Sequence, residues 1–158
     1  MSETQDFINE KNIIIGLDAT DKEDAIFKMS QVLEKNGDIC DAKKFYQDVL
    51  YRESLTTTGI GNNIAIPHGK SDTVMQPSLI FAKSKRPLQW NSLDGQPVEI
   101  IFLMAVGTAD SGKEHLRMLA HLSGNLMNDD FVKQIKDANK TQDILDVFDE
   151  FKEDEDNE

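Results

Sequence analysis

Residues 98–106 read Val-Glu-Ile-Ile-Phe-Leu-Met-Ala-Val, nine positions of which only Glu99 is charged. A strand with one wet face alternates in polarity. A run that is apolar on both faces suits a central strand covered on both sides by helices. Just upstream, Leu79 to Ala82 reads as a second strand, and Pro87 to Pro97 connects the two with Asp94-Gly95 as its turn signal. Ile13-Ile14-Ile15 supplies a β-branched strand near the start, and Ile64-Ala65-Ile66 a further short one.

Helical patterns fill the intervals. Thr20 and Glu23 have the spacing of a capping box, Ala25, Ile26, Met29, Val32 and Leu33 recur at helical spacing, and Gly37 is a suitable stop. A second helix starts near Asp41 and places Phe45, Val49 and Arg52 at i, i+4 and i+7, so Arg52 falls close to the buried stripe at the helix end. Ser111 and Glu114 form another capping box, opening a helix with Leu116, Leu119, Ala120, Ser123, Leu126 and Met127 on one side. Two short helices follow, over 129–138 and 141–151. The pattern predicts an α/β sandwich around a sheet of four or five strands.

The 158 residues are one domain's worth of chain, with no internal repeat and no Pro/Gly/Ser-rich linker. We place that domain at 1–151. Residues 152–158, Lys-Glu-Asp-Glu-Asp-Asn-Glu, read as an acidic, disordered tail. Formal charge is −12, from 29 acids and 17 bases. Taking the tail's five acids and one lysine from those totals leaves 24 against 16, a body of −8. Such a charge disfavours nucleic acid and anionic membrane surfaces as partners. The longest apolar run is far short of the ~20 residues of a membrane span. Seven acids in the first thirty residues leave no secretory signal, and the single cysteine, Cys40, fits a reducing, cytoplasmic setting.

Several sites are excluded by spacing. Gly69-Lys70-Ser71 imitates the end of a P-loop, but Ile64 stands where that motif needs glycine. Gly59-Ile60-Gly61 lacks the third glycine of a dinucleotide fingerprint. No His-Glu-x-x-His motif and no Cys/His cluster suggests zinc, and the pattern calls for neither metal nor cofactor. His121 reads as a solvated surface residue. His115, in the first turn of its helix, stands where spare N–H groups face anions.

One constellation stands out, from Arg52 to Gly69: Arg-Glu-Ser-Leu-Thr-Thr-Thr-Gly-Ile-Gly-Asn-Asn-Ile-Ala-Ile-Pro-His-Gly. His68 lies between proline and glycine and is expected in a turn. An imidazole can accept a phosphoryl group, a guanidinium binds its oxygens bidentately, and Thr58, Gly59, Gly61 and Gly69 offer backbone N–H donors for a phosphate loop. The alternative is a tight loop with a surface Arg52–Glu53 ion pair. Residue chemistry alone leaves both readings standing.

This stretch resembles the signature of the fructose/mannitol-type enzyme IIA family of the bacterial phosphoenolpyruvate-dependent sugar phosphotransferase system. The family pattern is an acidic or amide residue, six positions, aliphatic-Gly, two positions, then aliphatic-Ala-aliphatic-Pro-His-Gly. Glu53, Ile60-Gly61 and Ile64 to Gly69 meet it without mismatch. Similarity extends to Ser92-Leu93-Asp94-Gly95, to Pro97-Val98 and to His115-Leu116-x-x-Leu119, and spans roughly Phe7 to Phe151. One departure is Gly107, where many relatives carry proline. The resemblance implies a mixed β-sheet of about five strands flanked by helices. It implies a cytoplasmic phosphocarrier in which His68 takes a phosphoryl group from phosphorylated HPr and passes it to enzyme IIB, with the IIC permease downstream. Arg52 would bind the phosphoryl group and His115 would be the second histidine at the site. The Phe81-Ala82-Lys83-Ser84 and Trp90 to Gly95 segments look fructose-type. The alternative within the resemblance is a regulatory, nitrogen-type IIA protein that signals by its phosphorylation state.

Overall fold

The computed structural model describes the backbone of residues 8–108 and 113–156, with side chains outside 114–116 and 152–156. After a turn at Glu10–Asn12 come β1 (Ile13–Leu17), α1 (Lys22–Lys35), α2 (Ala42–Leu55), β2 (Gly59–Gly61), β3 (Ile64–Ala65), β4 (His68–Ser71), β5 (Ser78–Leu88) and β6 (Val98–Gly107). Three helices follow, α3 (Lys113–Leu126), α4 (Asp129–Asp137) and α5 (Thr141–Asp156). The sheet has six strands in the order β1-β5-β6-β3-β2, and β4 also pairs with β6. It is mixed: β1 runs parallel to β5, β5 antiparallel to β6, and β3 and β4 parallel to β6.

The long apolar run becomes β6, and both of its faces are covered. Ile100, Phe102, Met104 and Val106 pack with Met118, Leu122, Phe131, Ile135, Ile144 and Phe148 of α3, α4 and α5. Ile101, Leu103 and Ala105 pack with Ile26, Met29, Leu33, Phe45 and Val49 of α1 and α2. On the first side the rings of Phe81, Phe102, Phe148 and Phe131 meet successively edge to face, a geometry that adds roughly 0.5–1.5 kcal/mol per pair beyond burial.

Some local expectations shift. The cap of α1 is Asp21, whose side chain accepts from the Asp24 N–H, while Thr20 donates its own N–H to Asp24. The capping pair thus sits one residue beyond Thr20 and Glu23. Among the described side chains of α3, Met118, Leu122 and Asn125 are buried in an i, i+4, i+7 row, and the expected Leu119 and Leu126 are half-buried against the same core. Ala120 is exposed, as is Met127 just past the helix. Ser111 and the side chains of Glu114 and Leu116 lie outside the described residues. The backbone of α5 runs through Asp156, beyond the expected boundary at 151. His68 does not sit in a turn: it opens β4. The register is unchanged across the Ile66-Pro67 break, with Ile64 opposite Ile100 and His68 opposite Met104. Met104 N–H donates to the Pro67 carbonyl at 3.0 Å, bridging the gap.

Gly69 shows why a glycine follows the histidine. A Cβ there would stand 2.7 Å from Val49 Cγ2 and 2.8 Å from Phe45 Cε1, so α2 closes on β4 only over a bare backbone. Gly69→Ala is expected to lose about 1–3 kcal/mol through overpacking, each kcal/mol lowering Tm by roughly 2–4 °C in a domain of this size. Thermal unfolding followed by circular dichroism measures this, and an unchanged Tm would refute the packing account.

Candidate functional site

Two elements bring His68 and Arg52 together. β4 pairs on one side only, with β6, so it lies at a sheet edge that the flank of α2 can reach. Asp48, Tyr51, Arg52 and Leu55 follow one another at i, i+3, i+4 and i+7 along that flank. With His68 and Lys70 of β4 they line a cavity of about 260 Å³. Strand alternation accounts for the pairing of His68 with Lys70, since residues two apart share a face. Gly69 and Ser71, between and after them, are buried.

The imidazole has a defined tautomer. His68 Nδ1 lies 2.8 Å from the Ile66 carbonyl oxygen. A carbonyl can only accept, so Nδ1 carries the proton and, in the neutral ring, Nε2 carries the lone pair. Half-buried Arg52 donates from Nη1 to the Thr56 carbonyl at 3.1 Å, leaving its other N–H groups for a ligand. No carboxylate among the described residues pairs with Arg52 or with Lys70. Asp48 is committed to Lys44, with Nζ at 2.9 and 3.1 Å from its two oxygens. The hydrogen bond from that same pair holds the Lys44 ammonium above its ordinary range. In a chain of −12, the cavity therefore carries two cations, Arg52 and Lys70, that no described carboxylate neutralises.

Glu53 forms no ion pair with Arg52, which removes the surface-pair alternative. It lies on the buried stripe of α2 after Ala42, Phe45 and Val49, and pairs with Lys22 of α1 at 3.6 Å. Arg52 stands beside that stripe.

Each of the four expected phosphate-loop residues has a local structural contact. Thr58 gives its N–H and its hydroxyl to Glu53, at 2.9 and 2.6 Å. Gly59 donates to Thr57 Oγ1 at 3.1 Å and lies so close to Ser92 that a Cβ would overlap it. Gly61 takes φ +103 in the tight link from β2 to β3. Gly69 accommodates Phe45 and Val49. None of the four lines the cavity among the described residues. His115 is in the first turn of α3, with its side chain outside the described residues; His121, on the same helix, is half-buried. Sequence reasoning missed Asp48, Tyr51, Leu55 and Lys70 as lining residues. The i+2 alternation from His68 points to Lys70, the i−4 and i+3 positions from Arg52 to Asp48 and Leu55, and the turn between those two to Tyr51.

Among the described residues no group of three His, Cys, Asp or Glu is placed to hold a metal ion. Nor is any described helix long and apolar enough to cross a membrane.

Comparison with known proteins identifies the constellation. Residues 6–151 match the family described as "Phosphoenolpyruvate-dependent sugar phosphotransferase system, EIIA 2". The PTS system fructose-specific EIIABC component of Bacillus subtilis (strain 168) is 35% identical over 143 residues, 90% of this chain and 22% of that protein, so the chain spans less than a quarter of that relative. The nitrogen regulatory protein of Bradyrhizobium diazoefficiens is 30% identical over 144 residues, 90% of this chain and 92% of that protein. Enzyme IIAMTL, solved in a complex with phosphorylated enzyme IIBMTL from Escherichia coli, has the same fold, with a TM-score of 0.75 at 22% identity over 89% of this chain and 95% of that one. A match that begins before β1 and ends within α5 takes in the whole sheet and the His68 cavity: this chain belongs to the EIIA 2 family, the phosphotransfer components of the phosphoenolpyruvate-dependent sugar phosphotransferase system.

Proposed function

We propose that the chain is a cytoplasmic phosphocarrier in which His68 Nε2 accepts a phosphoryl group from phosphorylated HPr and hands it to an enzyme IIB partner serving fructose-type sugar uptake through a IIC permease. The observation that carries this reading is the Nδ1–H bond to Ile66 in a cavity walled by Arg52 and Lys70. In the uptake step the donor's P–N bond breaks, the donor imidazole keeps the electron pair, and the Nε2 lone pair forms the new P–N bond. No proton has to leave Nε2. The ring becomes cationic, and the Ile66 carbonyl stabilises that charge through Nδ1–H. Arg52 and Lys70 face the equatorial oxygens, where charge is spread in transfer. The phosphate-binding work falls to these side chains rather than to the N–H groups of Thr58 and Gly59, and His115 is assigned as the second histidine of the site.

Tyr51 and Leu55 support a docking role for this face. They are 69% and 63% exposed, large apolar groups one helical turn apart beside the reactive ring. Exposed aromatic and aliphatic residues at a site of this kind suit transient association. A nitrogen-type regulatory role is the second reading, supported by the 30% identity to the Bradyrhizobium nitrogen regulatory protein over 144 residues. Transfer of the label onward to a fructose-type IIB supports uptake, and failure with every sugar-specific IIB of the host supports regulation.

Incubation with labelled phosphoenolpyruvate, enzyme I and HPr tests the assignment of roles. His68→Ala is expected to take up no label. Arg52→Ala is expected to fold, with Tm within about 2 °C of the parent, and to transfer on the order of 10²–10³ times more slowly. Full labelling of the His68→Ala protein would refute the assignment. Leu55→Asp should raise the apparent KM for phosphorylated HPr while leaving the rate at saturation largely intact. The tautomer is read independently from long-range ¹H–¹⁵N spectra recorded well above the ordinary imidazole pKa. His68 Nδ1 should appear as the protonated nitrogen and Nε2 as the lone-pair nitrogen, and the reverse pattern would remove Nε2 as the acceptor.

A further inference from the structure

Glu53 puts a carboxylate where the stripe of α2 calls for an apolar group. It follows Phe45 and Val49 at i+4 intervals, and its side chain is 3% exposed. Both oxygens are taken. Oε2 accepts the Thr58 N–H at 2.9 Å and lies 3.6 Å from Lys22 Nζ; Oε1 accepts the Thr58 hydroxyl at 2.6 Å. Trp90 closes the cluster, its indole N–H donating to Thr58 Oγ1 at 3.4 Å and its ring centroid 5.7 Å from the Lys22 ammonium. The Trp90 carbonyl in turn accepts from Thr57 Oγ1 at 3.3 Å. A buried ion pair gains little stability over an apolar pair of similar volume. A buried network with every member satisfied does fix one geometry.

What it fixes is the path of residues 56–58. Thr56 is extended, with φ −165° and ψ 149°, so the helix ladder no longer holds it. Thr58, two residues on, is held at both donors by the side chain that follows Arg52 in sequence. Between these anchors the Thr56 carbonyl stands where Arg52 Nη1 donates to it. We propose that Glu53, acting through Thr58, is a positioning residue for Arg52: it locks the carbonyl that orients the guanidinium toward His68. The proposal rests on the reading of His68 and Arg52 as the phosphoryl site. A guanidinium tethered at one N–H presents the rest of its fork without losing rotamer freedom at each encounter. Small misplacement of such a group costs up to about 10²-fold in rate.

Thr58→Val removes the hydroxyl and keeps the shape, Thr58→Ser restores the hydroxyl, and Glu53→Gln removes the charge. With phosphorylated HPr as donor, Thr58→Val and Glu53→Gln should lower the rate at saturation about 10-fold with KM for the donor unchanged, and Thr58→Ser should recover most of it. A purely structural role would lower Tm without this split or this rescue. The Arg52 guanidinium N–H resonances give a second readout: a distinct hydrogen-bonded Nη signal in the parent should be lost in Thr58→Val and regained in Thr58→Ser. Should Thr58→Val fail to fold, Lys22→Met is read by the same two measurements, with a smaller loss of rate and a weakened Nη signal expected. Parental rates and unchanged Arg52 signals in the folded variants overturn the proposal. If the parent takes up no phosphoryl group from HPr, the phosphocarrier reading fails instead, and the Arg52 signal alone decides the positioning role.

Discussion

The pairing of β4 against β6 sets where the reactive imidazole stands, and most of the molecule serves to hold that pairing. β6 runs through the centre of the sheet with one apolar row against α3–α5 and the other against α1 and α2. It cannot shift by one residue without turning each row to the wrong layer. Alongside it the chain from Ile64 to Ser71 keeps a single register, because Pro67, with no N–H of its own, still offers its carbonyl to Met104. On the other side of the same segment, β2 pairs with β3 and its last rung is the Ile66 N–H to Thr58 carbonyl bond. The Ile66 carbonyl falls beyond that ladder, and His68 Nδ1 takes it up. The tautomer of the imidazole is therefore a consequence of where a short strand ends.

The second dependence is on α2. Its buried stripe closes onto Gly69, and the neighbouring stripe, one hundred degrees around, carries Asp48, Tyr51, Arg52 and Leu55 to the rim of the cavity. Packing and chemistry are thus adjacent faces of one helix. The same arrangement resolves an electrostatic problem. An acidic chain presents cations at this spot because Asp48 is held by Lys44 and Glu53 is turned inward to Lys22 and Thr58. The two carboxylates nearest Arg52 in sequence are spent elsewhere.

The fold was largely legible because its central signal is redundant. Nine residues of β6 need apolar cover on both sides, and the helical periodicities that provide it were visible in turn. His68 was misplaced into a turn because proline and glycine flank it, and both usually break strands. Here Pro67 lies at an interruption, and Gly69 is present for the space Phe45 and Val49 occupy, which depends on a helix some twenty residues earlier in the chain. The same confusion of purposes affected the other glycines. Gly59 makes room for Ser92, and no local pattern separates that need from a phosphate cradle. In α3 the expected Leu119 and Leu126 do pack against the core, but its most buried positions are the adjacent Met118 and Leu122, and Ala120 and Met127 face outward. Both rows are apolar in sequence, and only the helix's orientation on β6 ranks their burial.

A carrier that must both take and give a phosphoryl group cannot bind it too well. Tight enclosure of the stored phosphohistidine would lower the ground state and slow the second transfer, so the useful interactions are those stronger in flight than at rest. On the proposed reading, an open cavity with one tethered guanidinium and one ammonium that no described carboxylate pairs fits that demand. The hydrogen bonds described at the site tether Arg52 to the Thr56 carbonyl and the His68 ring to the Ile66 carbonyl. On the same reading, the remainder of the enclosure would be supplied by a protein surface settling over the exposed Tyr51 and Leu55, which would exclude water only while a partner is present. Each partner would then complete the same half-built site, and donor and acceptor would exchange through one face without any change of fold.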